Sequence, residues 1–304
     1  MSMFGSIKDT LNLLKNTFVV IAKNPEIIKP TTAQVKIALL FYLVLLLGGA
    51  SIIFGGAALG TIGFLAIFVS LLVLMILFPF IKVHYNGAQC WLVYNTFAGK
   101  KVSYGEGLAR AKENKSDIFW IGLFTIIFTA LANQLKAGTG RKGILFAIIN
   151  GLMYILGKVV EEGWDLIGNF LLPASIISEN SVVDTLPEIN NIRKNVPGAL
   201  AGVFGIDFVG NVALGYVWMI LLIPFFIMAF MLGFLNATYL VVPLALWVII
   251  GIGLAIAAGI YIGMVKTVYF ALFYVTVTRP EDIAPAYRSE VTNYLLSQKR
   301  PNHL

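Results

Sequence analysis

Lys158, Glu162, Asp165 and Asn169 stand at i, i+4, i+7 and i+11 inside a long apolar run. On a helix that spacing puts all four on one face, and Glu161 lies beside them, four residues before Asp165. Their segment, KVVEEGWDLIGNFLLPASIISE from Lys158 to Glu179, is where ionisable residues cluster within apolar sequence. Charge in such surroundings is costly, so it lines a polar cavity, pairs internally or sits at a membrane edge. Glu161, Glu162 and Asp165 outnumber Lys158, and Lys266 or a bound cation would balance the excess. Two accounts fit: a cation site, gate or headgroup-binding cavity, or an internal ion-pair network that joins helices.

Other chemistry is thinly supported. His84 and His303 are the only histidines and Cys90 the only cysteine, too few for a zinc or copper set. There is no GxxxxGK[ST] phosphate loop and no GxSxG elbow. Glu161 and Glu162 are adjacent, so on a helix they point about 100° apart and seldom act on one bond. The sequence therefore predicts no enzyme, no cofactor, no metal and no catalytic residue.

The elements that must position the charged face are membrane helices. The chain has 304 residues, 59% of them hydrophobic and 12% charged, with a mean hydropathy of +0.86. A soluble domain is nearer a quarter charged. Several apolar runs reach the roughly 20 residues that cross a bilayer as a helix, and they are continuous rather than alternating, which argues against a strand barrel. The expected fold is an all-α polytopic bundle of about six transmembrane helices with long cytoplasmic overhangs. Its parts are an amphipathic segment over 1–34, a transmembrane domain over 35–278 and a cytoplasmic tail over 279–304.

In order, residues 3–23 carry an apolar stripe through Phe4, Ile7, Leu11, Leu14 and Phe18, and their helix must end before Pro25. Spans follow at about 36–54 and 60–82, parted near Gly55 and Gly56, with the second helix extending to about Phe97. Ser103 and Glu106 form a capping-box pair. A third span covers about 117–134. The runs 143–178, 199–235 and 238–278 each exceed one straight crossing. The first would be roughly 54 Å long against a hydrocarbon core of roughly 30 Å. Gly163 and Pro173 are the expected break points there, and Pro224 and Pro243 the expected kinks later.

The charge of +7 is topological rather than a sign of nucleic-acid binding. Seventeen of the 22 Lys and Arg fall on segments assigned to the cytoplasm, against three on the outer turn at Lys136, Arg141 and Lys142. Both termini are thus expected inside. Counting about 20 residues inward from the outer end of each long helix puts Lys158, Glu161, Glu162, Asp165, Asn169, Asp207 and Lys266 in one layer near the inner face. In the last helix Gly251, Ala255, Gly259 and Gly263 recur every four residues, a row that lets another helix approach closely. The approaching helix can be internal or come from a second protomer.

The layout resembles a family of multi-span prokaryotic membrane proteins known only as a domain of unknown function. Three stretches carry the likeness: LNLLKNTFVVIAKNPEIIKP, YNTFAGKKVSYGEGLARAKENKSDIFW, and GWDLIGNFLLPASIISENSVVDTLPEINNIRKN with its Trp164, Pro173 and Glu179. A similar pattern occurs in the membrane domain attached to some glycerophosphodiester phosphodiesterases. This chain departs from the family pattern at Asn180 and Ser181. The resemblance implies the fold and a prokaryotic inner membrane, and no activity. Two roles follow as expectations. One is ion or small-solute transport through an acidic cytoplasmic vestibule. The other is a non-transporting scaffold or accessory subunit. The expected partners are membrane lipids, with a second copy or another membrane protein as further candidates, and no nucleic acid.

Overall fold

The computed structural model describes residues 15, 17–138, 144–178, 196–233 and 241–287. Its α-helices are α1 (Lys29–Phe54), α2 (Gly56–Phe97), α3 (Tyr104–Glu113), α4 (Lys115–Ala137), α5 (Ile144–Ser178), α6 (Val196–Gly233) and α7 (Val241–Thr278). No strand occurs among the described residues, so the chain is all-α. Among the described residues four helical stretches are long and apolar enough to cross a membrane: Pro25–Phe54, Gly56–Phe97, Lys115–Ala137 and Ala245–Thr278.

Local chemistry sets the boundaries. Residues 17–23 are helical and stop at Lys23. Asn24 Oδ1 then accepts from the Glu26 N–H at 3.1 Å and opens the 3-10 turn Pro25–Ile28. Phe4, Ile7, Leu11 and Leu14 of the expected apolar stripe lie outside the described residues. In the part described, Thr17, Val20 and Ile21 are buried and Phe18 is exposed. The inward face is thus offset from the stripe drawn through Phe18, because the beta-branched residues that follow it make the contacts. The chain reverses between α1 and α2 at Gly56, whose φ of +64° favours glycine. Ser103 and Glu106 form the reciprocal capping box at the start of α3.

α5 runs unbroken through Gly163 and Pro173, against the expected break. A proline inside a helix removes one hydrogen bond and crowds the preceding turn. Here residues 170–177 are buried throughout, and their packing keeps the helix continuous. α6 and α7 are also continuous. Pro243 falls in the first turn of α7, where the N–H it lacks would have had no helical partner.

The chain divides into two compact units, to which α1, α2, α6 and α7 each contribute residues: Met1–Pro30, Leu72–Val203 and Lys266–Leu304 in the first, Thr31–Leu71 and Phe204–Val265 in the second. The first unit has a dense core from the later parts of α2, α5 and α7. It includes Gln89, Leu92 and Phe97, then Phe170, Ala174 and Ile176, then Tyr269, Leu272 and Tyr274. Phe170 meets Phe270 edge to face at 4.9 Å, and the hydroxyls of Ser178 and Tyr274 are hydrogen-bonded. In the second unit some contacts are very close. A Cβ on Gly63 would lie 2.5 Å from the Gly48 carbonyl oxygen. Trp218 packs against Trp247 at 5.1 Å, and Tyr42 Oη donates to the Ile249 carbonyl at 2.8 Å.

Candidate functional site

α4 and α5 form an antiparallel pair, and their register places the charges. Gly157 of α5 sits against the Ala132 carbonyl, with only 2.8 Å for a Cβ. One turn further on, Lys136 Nζ of α4 donates to Glu161 Oε1 at 3.0 Å, while Lys158 Nζ donates to Glu161 Oε2 at 2.9 Å. Two ammonium groups thus hold the two oxygens of one carboxylate. Lys136 is only 20% exposed, so water screens its pair less than it would a free surface pair.

This pairing joins two residues that residue counting sets apart. Counting residues put Lys136 on an outer turn and Glu161 near the inner face, yet they touch. At the other end of the pair, Arg110 Nε and Nη2, just before α4, both donate to the Ile176 carbonyl at 3.1 Å. The α5 stretch alongside α4 therefore runs from about Asn150, which meets Gly138, to Ile176. The surplus length of α5 lies before Asn150, not after Lys158. Glu161 accordingly belongs at the same end of α4 as Lys136.

The remaining candidates divide as follows. The helix backbone includes Glu162, Asp165 and Asp207, but their side chains lie outside the described residues. Asn169 and Lys266 are part-buried, and each has an interaction partner. Asp207 belongs to the second unit, and the other six residues of the expected layer belong to the first. In the glycine row of α7, Gly251 abuts the Trp218 ring, whereas no atom lies within 4 Å of a Cβ built on Gly259 or Gly263. Among the described residues no group of three His, Cys, Asp or Glu side chains could hold a metal.

Sequence reasoning missed two cations. Lys136 was counted for topology and not as a partner, since it stands 25 residues from Glu161. Its only signal was a lysine in the last turn of α4, where a cation complements the helix dipole. The second is Arg110, which no sequence pattern singles out. It caps the C-terminal end of α5, lies 5.0 Å over the Trp91 ring and pairs with Glu113 at 3.3 Å. Several polar groups around it pair, although the buried Ser175 Oγ has no hydrogen-bond partner among the described residues. Gln89 Nε2 donates to the Ile27 carbonyl, Asn24 Nδ2 to Thr96 Oγ1, and Tyr94 Oη to Asp282 Oδ2. Glu26 accepts from Lys29 and from the Tyr104 N–H. Burial pushes the Tyr104 phenol up to about 12, with the nearby Tyr85 adding to the rise.

A chain of rings runs over the same helix pair. Phe80 of α2 stacks on Phe119 at 5.5 Å, Phe119 meets Trp120 at 5.8 Å, and Trp120 stacks on Phe124 at 5.9 Å. Trp164 of α5 then touches Phe124 at 6.0 Å and stacks on Phe128 at 4.7 Å. Its indole N–H donates to Thr125 Oγ1 at 3.1 Å. No family model, curated protein or solved structure matches this chain.

Proposed function

We propose that the chain is a six-span protein of a prokaryotic inner membrane, with both termini in the cytoplasm. On this reading it serves as a non-transporting scaffold or accessory subunit that binds lipid or another membrane protein. The observation that carries the reading is the grip of Lys136 and Lys158 on Glu161. Of the acidic cluster, Glu161 has a described side chain, and its charge is spent on tying α4 to α5 rather than on a solute. The family resemblance adds support for the inner membrane and brings no activity. The test is ion flux in proteoliposomes. The wild-type protein should show no flux above protein-free vesicles under sodium, potassium or proton gradients.

Transport is the second reading, favoured by the acids that follow Glu161 in sequence, Glu162 and Asp165. With α4 running outward, this group lies at the outer end of the α4–α5 pair, and a vestibule built on it opens there. Cation flux that falls in Glu161→Gln/Glu162→Gln/Asp165→Asn, with expression and helix content unchanged, would sink the scaffold reading and establish this one.

A further inference from the structure

Near the start of α4, where Phe119 and Trp120 of the ring chain lie, stand two lysines with no partner among the described residues. Lys112 stands in the last turn of α3 and Lys115 opens α4, on either side of Asn114. Both are exposed, and neither makes an ion pair or hydrogen bond with the described residues. The neighbouring acids are committed elsewhere: Glu113 pairs with Arg110 at 3.3 Å, and Asp117 has an interaction partner. Asn114 makes no side-chain cap to α4, because its amide donates to the Arg110 carbonyl at 3.0 Å. The first N–H groups of α4 therefore add to the positive field at Lys115. One turn further on, Phe119 and Trp120 of the ring chain are 50% and 47% exposed.

We propose that this face binds one anionic phospholipid of the surrounding bilayer, with its phosphate at Lys112 and Lys115 and an acyl chain along Phe119, Trp120, Phe124 and Trp164. Length sets the depth. The 23 residues of α4 rise roughly 35 Å, just more than the roughly 30 Å hydrocarbon core. Lys115 then stands at headgroup level, with the rings at the aromatic boundary below it, where tryptophan concentrates. The two ends of α4 differ in charge available to a ligand. At the far end Lys136 is occupied by Glu161, whereas at the near end neither lysine pairs with a described residue. Anionic headgroups are attracted to such basic groups at the membrane surface. The inference rests on the membrane location and the lipid-binding part of the reading above, and stands whether or not the protein conducts ions.

The test uses the full chain in phosphatidylcholine vesicles that carry an equal small fraction of brominated phosphatidylglycerol or brominated phosphatidylcholine. The Trp120 signal is the difference in fluorescence between wild type and Trp120→Phe. Brominated phosphatidylglycerol should quench it several-fold more efficiently. Lys112→Gln/Lys115→Gln should erase that preference and leave quenching by phosphatidylcholine unchanged, while Lys112→Arg/Lys115→Arg should keep it. Equal quenching by the two lipids in wild type overturns the proposal, as does a preference that survives the Gln pair. A soluble acidic peptide that alters Trp120 emission while phosphatidylglycerol does not would also overturn it, and would assign the lysines to a protein partner. Flux measured in the same vesicles judges the scaffold reading independently.

Discussion

The two compact units bury their helices by different means. In the first unit, residues 170–177 of α5 and 267–276 of α7 are buried residue after residue, so each helix is enclosed on all sides there. Gln89 and Asn95 are buried in the same unit, and each donates to a backbone carbonyl. In the second unit the stretch of α2 that includes Leu59, Phe64 and Phe68 presents apolar side chains outward, and the contact with α1 runs through Gly48, Ser51 and Gly63. The contrast matches two solvents. Where lipid surrounds a helix, apolar side chains gain little by leaving it, and association depends on backbones that approach closely at small residues. Enclosed stretches, such as 170–177 and 267–276, and hydrogen-bonded buried polar side chains are instead what water favours, while α4 of the same unit is apolar enough to cross a membrane.

Substitutions can break this contrast in order of expected size. Leu92 is 0% exposed in the first unit and Phe64 is 61% exposed in the second. Leu92→Ala should destabilise by about 2–5 kcal/mol through the cavity it leaves. Phe64→Ala should stay within about 0.5 kcal/mol, as a surface change does. Thermal unfolding of both variants in one detergent checks this, and equal shifts would dissolve the distinction. Arg110→Ala should cost about 1.5–3 kcal/mol, the range for a hydrogen bond to a charged group, and the loss should appear as fraying of α5 by hydrogen exchange.

Within the second unit the glycine row sharpens the comparison. Gly251→Leu meets the Trp218 ring and should cost about 1–3 kcal/mol, as overpacking does. Gly259→Leu enters open space and should be near neutral in detergent. A loss at Gly259 that appears only in the bilayer would mean that another helix covers it there. The smallest effect belongs to the capping box. Bonds from the Ser103 backbone N–H and hydroxyl hold the Glu106 carboxyl below the ordinary glutamate range. A lowered folded value contributes stability above the unfolded pKa of about 4.3, and that contribution is lost as the pH falls through the folded value. The slight advantage of wild type over Glu106→Gln should therefore vanish in acid, as followed by circular dichroism.

Much of the fold was legible because it rests on local chemistry. Pro25, the glycines at 55 and 56, the Ser103–Glu106 pair and the helix end at Phe97 each act over a few residues, and the structure places a boundary at each. Pro173 was misjudged because its local penalty is set against the burial of its whole neighbourhood, which a one-dimensional pattern does not contain. The charged segment was conspicuous in sequence, since few ionisable residues interrupt these runs. Its partner was not, because Lys136 reaches Glu161 only through the register of α4 against α5, fixed by Gly157 on Ala132 and by Trp164 on Phe128. Residue counting also assumed that the excess length of α5 follows Lys158, whereas the packing puts the part of α5 beyond α4 before Asn150.

Cys90 lies in the enclosed part of α2 and is 0% exposed. Being the chain's only thiol, it is sealed in the native state and becomes reactive when the core around it opens. Its rate of modification by a maleimide is therefore a clock for that opening, read without introducing any label site. Where reclosing is fast relative to the reagent, the rate reports the free energy of opening. The same shielding leaves the folded protein silent to thiol reagents, so a cysteine introduced at the surface would report from its own position alone.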